Sequence, residues 1–279
     1  MIDLPLNSVV HPTDFSRGGV GAFAHALRIA AAARSQFYLV HVEHDGEQDN
    51  WGHFPRVREM LAAWGMIALD APRSAVANVV GVRVEKRIVQ SNDPARGVGG
   101  FVEQHPCDLL VLMTHARSAR RHWLHGSIAE AAARRAHSRT LFLREDQNGF
   151  VDSRTGAVSL DTILFPVGAG VFAEDAWRWL SLFARVVAPN SRIHLLHIGS
   201  SRPTNIGEID GAVDIRLGPV VEAIADVAWE IRADMIVMPT VGREGLLDEL
   251  RGSLAERVLR EAPCPVMTIP SPWRLPVSE

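Results

Sequence analysis

The chain has 279 residues, of which 47% are hydrophobic and 22% are charged, and its formal net charge is -3. This length predicts two domains, and the composition is that of an ordinary globular protein. The lack of a basic excess argues against nucleic acid as a partner. Neither a signal peptide nor an apolar run of about 20 residues is visible, so we expect a cytoplasmic protein that does not contact membranes.

The first half of the chain alternates predicted strands and helices. Short apolar runs with turn residues at their ends predict strands, and apolar residues at helical spacing predict helices. In chain order we predict strand 7–12, helix 21–34, strand 36–42, helix 54–71, strand 82–90, helix 93–105, strand 108–113, helix 127–136 and strand 140–143.

The second half repeats this order with a shorter middle. Strands are predicted at 161–166, 192–198 and 213–217, and helices at 172–187 and 219–231. Alternating strands and helices indicate parallel sheets that are covered by helices on both faces. The loop 199–211 leaves no room for the helix that the first half has at 54–71.

Two long segments of the chain match each other without a gap, at 108–143 and 234–269. Asp108 aligns with Asp234, and such a match indicates duplication of a structural unit. We therefore predict a first domain at 1–146, a linker at 147–158, a second domain at 159–271 that lacks one helix, and a tail at 272–279.

Each copy also carries Gly-Ser at the predicted start of a helix, at 126–127 and at 252–253. The free N–H groups and the positive dipole end of a helix N-terminus favour an anion such as phosphate. However, Ser127 with Glu130, and Ser253 with Glu256, also form S-x-x-E capping boxes, which satisfy a helix start without any ligand. Both interpretations stay open from the residues alone.

Ligands of open parallel sheets bind at the carboxyl ends of strands, where the strand order reverses. In the first copy this edge includes Pro12, Thr13 and Asp14, the turn after Met113, and the Gly-Ser pair. Asp14 could accept a hydrogen bond from a ribose hydroxyl or an adenine amine. His41 and His197 occupy matched strand ends, where a hydrogen-bonding or packing role is favoured over metal ligation, and we predict no metal site and no catalytic residue.

Three motifs make the chain similar to the universal stress protein family: HPTDFS after the first strand, THARS followed by HGS-x-AE after the fourth, and GREG followed by RGS-x-AERVLREAPCPV in the second copy. The resemblance covers nearly the whole chain as two tandem domains. It implies two open, five-stranded parallel α/β sheets of the adenine nucleotide α-hydrolase-like type. It also implies that the domains pair through their last strands, at 140–143 and 266–269.

Nucleotide-binding members of this family carry G-x2-G-x9-G-[ST] and an aspartate after the first strand. The first copy keeps that aspartate and the Gly-Ser pair, but Met113 and Ala116 replace the two leading glycines. The second copy keeps Gly242 and its Gly-Ser pair, but Pro239 replaces the first glycine and Gly168 replaces the aspartate. The resemblance implies the nucleotide-binding set Pro12, Thr13, Asp14, Val42, His115, Arg117, Gly126, Ser127, Gly242, Gly252 and Ser253, and we favour the first copy because Asp14 is present there.

The leading hypothesis is a non-catalytic tandem universal stress protein of the cellular stress response. It would bind ATP or another adenine nucleotide weakly, with Mg²⁺ as the accompanying ion, and act through a regulatory protein partner as a monomer or homodimer. One alternative is a slow ATPase in the first copy. Another is a structural interaction module whose degenerate pockets are closed.

Overall fold

The computed structural model describes residues 6–16, 18–44, 51–105, 107–114, 128–168, 173–203, 212–241 and 254–271. The strands are β1 Ser8–Pro12, β2 Gln36–Glu43, β3 Arg83–Gln90, β4 Leu109–Thr114, β5 Thr140–Arg144, β6 Thr162–Pro166, β7 Arg192–Ile198, β8 Val213–Arg216, β9 Met235–Val241 and β10 Val266–Ser271. The α-helices are α1 Val20–Ala33, α2 Val57–Ala63, α3 Pro94–Gln104, α4 Ile128–Ala136, α5 Ala173–Val187, α6 Val220–Glu230 and α7 Leu254–Glu261.

The strands form one ten-stranded sheet with the order β3-β2-β1-β4-β5-β10-β9-β6-β7-β8. Within each half all neighbouring strands are parallel, as predicted, and the halves meet where β5 and β10 pair antiparallel. Leu141 pairs with Met267 there. These two residues occupy equivalent positions in the repeat, so a pseudo-two-fold axis passes between them.

Helices cover both faces of this sheet, because nearly every sheet residue near its centre is apolar. On one face α1 and α5 pack over a core that includes Phe37 and Phe165. On the other face α3, α4, α6 and α7 pack over a second core that includes Leu110 and Ile236. Both cores run across the junction of the halves, which places the strand ends of each half on a rigid platform.

The segment between β2 and β3 differs from its prediction. The helix predicted at 54–71 is only Val57–Ala63, because Gly65 adopts a left-handed φ of +70° and the Met66 amide bonds back to Leu61. A π-helix that was not predicted follows at Val76–Val80 and ends at Gly81, whose φ is +85°. A lone glycine is a weak signal inside an apolar-periodic stretch, so the sequence alone overextended this helix.

The predicted linker is packed against the first half. Val151 pairs with Val158, and the amide of Val151 donates to Nε2 of buried His25 at 3.0 Å. Trp64 Nε1 donates to the Ser153 carbonyl at 3.1 Å, and Arg28 Nε donates to the Gly156 carbonyl at 3.1 Å. The predicted domain boundaries remain a prediction, as does the missing helix of the second half.

Across the described ranges, no helix has the length and apolarity that crossing a bilayer requires.

Candidate functional site

The strand order of the first half reverses between β1 and β4, and a tightly bonded turn follows β1 at this point. The Thr13 amide donates to the Val40 carbonyl at 2.8 Å, which extends the β1–β2 ladder by one residue. His41 Nδ1 donates to the Thr13 carbonyl at 2.8 Å. The predicted hydrogen-bonding role of His41 is thereby confirmed, and the backbone of Thr13 is held at the crevice.

Asp14 lies exposed at the tip of this turn. Its Oδ1 accepts from the Ser16 amide at 2.9 Å, and Ser16 Oγ accepts from the Gly19 amide at 3.3 Å. Phe15 has a φ of +62°, an uncommon value for a bulky residue, and its ring stacks on His41 at 4.0 Å. Such a backbone conformation persists only where its surroundings enforce it, so the packing around Phe15 fixes the turn.

Of the other predicted residues, Val42 belongs to the adjacent strand. It is partly buried, and its Cγ1 would lie 2.8 Å from a Cβ added to Gly97 of α3. Val42 therefore packs under α3, while Pro12, Thr13 and Asp14 share the turn. The remaining predicted residues lie outside the described ranges: His115, Arg117, Gly126, Ser127, Gly242, Gly252 and Ser253.

Two neighbouring side chains border this edge, one apolar and one charged. Met113 is partly buried, and its Cε would lie 3.6 Å from a Cβ on Gly21, so the side chain turns toward α1. Glu145 lies against Gly18, where an added Cβ would be 2.5 Å from its Oε1. This carboxylate therefore sits beside the start of α1, where the positive end of the helix favours an anion. Sequence reasoning missed Glu145 because it follows β5 and approaches α1 only in the folded sheet.

The equivalent edge of the second half lies between β6 and β9. The Val167 amide donates to the Leu196 carbonyl at 2.7 Å, and His197 Nδ1 donates to the Val167 carbonyl at 2.9 Å. Gly168 stands where Asp14 stands in the first half, and a Cβ added there would meet no atom of the described residues within 4 Å. The backbone of the turn is thus reproduced, whereas the carboxylate is not.

A cavity of about 320 Å³ lies between α4 and α7, at the junction of the halves. It reaches Pro239 and Thr240 at the end of β9, and the ion pair of Arg134 with Glu256 joins its two walls. Its lining comes from segments far apart in the sequence, so no sequence signal predicted it.

The described residues offer little for covalent or metal chemistry. Cys107 and Cys264 are buried, and burial raises the pKa of each thiol to about 12, which keeps them protonated and poorly nucleophilic. Within the ranges that the structure describes, no three or more His, Cys, Asp and Glu side chains converge as metal ligands do.

The parallel five-stranded halves and the turn after β1 agree with a comparison against known families. The universal stress protein family model matches residues 6–144 and 200–270. The chain belongs to the universal stress protein family. The match spans both halves of the sheet, which agrees with a tandem arrangement of two family domains.

One curated relative and two solved structures are similar to this chain. A universal stress protein of Methanocaldococcus jannaschii is 47% identical over 49 residues, which are 18% of this chain and only 29% of that protein. A universal stress protein structure from Archaeoglobus fulgidus matches 95% of this chain and 98% of its own, with a TM-score of 0.62 at 16% identity. A structure from Pseudomonas aeruginosa, described as a universal stress protein, matches 96% of this chain and 94% of its own, with a TM-score of 0.66 at 17% identity. At these identities the structures establish the shared fold.

Proposed function

We propose that this chain is a non-catalytic, cytoplasmic universal stress protein of the cellular stress response that binds an adenine nucleotide weakly in its first half. The observation that carries the proposal is the turn Pro12–Thr13–Asp14 at the reversal of strand order between β1 and β4. Ligands of open α/β sheets bind at this place, and Asp14 is exposed there.

We assign different roles to the members of the turn. The Thr13 backbone is fixed by its bonds to β2 and His41, so it offers a rigid surface beside the crevice. The carboxylate of Asp14 accepts hydrogen bonds, as from an adenine amine or ribose hydroxyls. Such groups are donors that a carboxylate recognises with charge assistance.

The charges at this edge determine where the phosphates would lie. Asp14 and Glu145 are both acidic, and Glu145 already lies beside the start of α1. A polyphosphate would be repelled from α1, so we assign it to the residues between β4 and α4, which include His115, Arg117, Gly126 and Ser127. Mg²⁺ on the phosphates would offset the remaining repulsion.

The non-catalytic assignment rests on the chemistry of the same edge. Hydrolysis needs a base that activates water and a group that stabilises the leaving phosphate. Asp14 Oδ1 already accepts from the Ser16 amide and we assign its other oxygen to the nucleotide, while Glu145 lies against Gly18, so we assign neither carboxylate the role of a base.

The test is calorimetric titration of ATP with Mg²⁺ into the full chain and into Asp14→Ala. We expect weak binding by the wild type and a loss of about tenfold or more in the variant, because a charge-assisted contact contributes about 1.5–3 kcal/mol. Asp175→Ala is the matched control, since Asp175 is exposed in α5 of the second half. Equal ATP affinity in wild type and Asp14→Ala, or no heat at millimolar ATP, contradicts the proposal.

A further inference from the structure

A groove of about 730 Å³ runs beside the edge strand β3, between α2 and the π-helix Val76–Val80. Five cationic side chains line it, and Glu59 is the single carboxylate among its described lining residues. The cations are Arg56, Arg58, Arg73, Arg83 and Lys86. Because the whole chain has a net charge of -3, this concentration of positive charge is local.

The surroundings of Lys86 show that the cations of the groove act on one another. Its side chain is half-buried, and its Nζ lies 5.3 Å from the centre of the Phe54 ring. Burial lowers the pKa of Lys86, and the charges of Arg73 and Arg56 lower it further. Like charges repel each other, and an anion among Lys86, Arg73 and Arg56 would offset that repulsion.

The contacts within the groove leave hydrogen-bond donors for a ligand. Arg56 Nη1 pairs with Glu59 at 2.8 Å, and Arg58 Nη1 donates to the Ala71 carbonyl at 3.3 Å. Each guanidinium has five N–H donors, so these contacts occupy only part of either group. For Arg73 and Arg83 the structure gives no ion pair within the described residues.

Protection of a sheet edge explains only part of this pattern. Exposed Lys and Arg on an edge strand discourage pairing with other chains, which accounts for Arg83 and for Arg87 with its partner Glu85. Edge protection does not account for Arg56, Arg58 and Arg73, which come from two other segments and line the same groove as Lys86. Those segments lie between β2 and β3, where the second half has a shorter connection.

We propose that this groove binds a compact ligand that carries two or more phosphate groups. Its volume lies within the roughly 300–1,000 Å³ of small-molecule sites. Guanidinium forks match the oxygen geometry of phosphate, and several cations around one groove favour several phosphates over one. None of the described residues of the proposed nucleotide site lines the groove, so we treat the two sites as distinct proposals.

The test uses inorganic tripolyphosphate as the probe, titrated into the full chain at low ionic strength and at about 0.15 M salt. We expect binding that weakens with salt and that Arg73→Gln/Lys86→Gln weakens by about tenfold or more. The control is Arg185→Gln/Arg192→Gln, which removes the same charge from exposed positions of the second half. Asp14→Ala should leave tripolyphosphate affinity unchanged, which separates this result from the nucleotide proposal.

Further arms identify the source of the phosphates. If ATP binds the groove no better than tripolyphosphate, the groove recognises phosphate alone. If ATP binds more tightly and its binding depends on Arg73 and Lys86, the ligand is a nucleoside polyphosphate. The proposal is overturned if tripolyphosphate does not bind, or if both double variants lose affinity equally. It is also overturned if polyglutamate or duplex DNA binds through Arg73 and Lys86 and tripolyphosphate does not.

Discussion

In both halves of the sheet an aspartate binds the start of the first strand and a histidine binds the turn at its end. Asp108 Oδ2 accepts from the amides of Asn7 and Ser8 at 2.8 and 3.0 Å. Asp234 Oδ2 accepts from the amides of Asp161 and Thr162 at 2.8 Å each. The aligned aspartates of the sequence repeat, Asp108 and Asp234, therefore bind the backbone in the same way in both halves.

The halves differ at the surfaces that a ligand would meet. Asp14 of the first half is Gly168 in the second. The edge strand β3 borders a groove of clustered cations, whereas Arg216 of the edge strand β8 is neutralised by Asp214 at 2.9 Å and Glu230 at 3.1 Å. The difference teaches that the duplicated contacts maintain the sheet, while both sites that we propose lie in the first half.

Acid should weaken the first half more than the second. His11 of β1 is buried where the equivalent residue of β6 is Phe165, and burial lowers the pKa of His11 to about 4. His25, which holds the linker, also has a pKa lowered to about 4 by burial. Since the unfolded value is about 6.5, the unfolded chain binds more protons between pH 6.5 and 4, and stability falls as the pH falls through this window.

Each of these histidines should remove on the order of 2–3 kcal/mol across that window. His11→Phe, which copies the second half, should flatten the dependence of unfolding free energy on pH, measured by urea unfolding from pH 7 to 4.5. An unchanged slope in this variant would show that His11 is not the buried neutral group described above.

Removing the duplicated aspartates should affect both halves alike. Asp108→Ala and Asp234→Ala each leave two strand-start amides without their acceptor, so each should lower the unfolding free energy by about 2 kcal/mol. Urea unfolding with the Asp→Asn variants as controls checks this, because an asparagine still offers one oxygen acceptor. If only one of the two Asp→Ala variants lowered the unfolding free energy, the two aspartates would not be equivalent.

The parallel halves and most strands were predictable, since buried parallel strands leave short apolar runs in the sequence. The junction was also indicated by the family resemblance, which pointed to strands 140–143 and 266–269. The basic groove was not predictable, because Arg56, Arg73 and Lys86 converge through a π-helix and a shortened α2 that leave no periodic signal. Similarly, Glu145 approaches Gly18 only after β5 has taken its place in the sheet.

The most direct test exchanges the position of the two strand-end turns at which the first half has a carboxylate and the second half has glycine. Asp14→Gly gives the first half the residue of the second, and Gly168→Asp does the reverse at a position where an added Cβ meets no described residue within 4 Å. With ATP and Mg²⁺ in a calorimetric titration, we predict that Asp14→Gly weakens binding by about tenfold or more, as the loss of one charge-assisted contact requires, whereas Gly168→Asp retains it. ATP binding that survives Asp14→Gly unchanged would contradict the assignment of nucleotide binding to the first half.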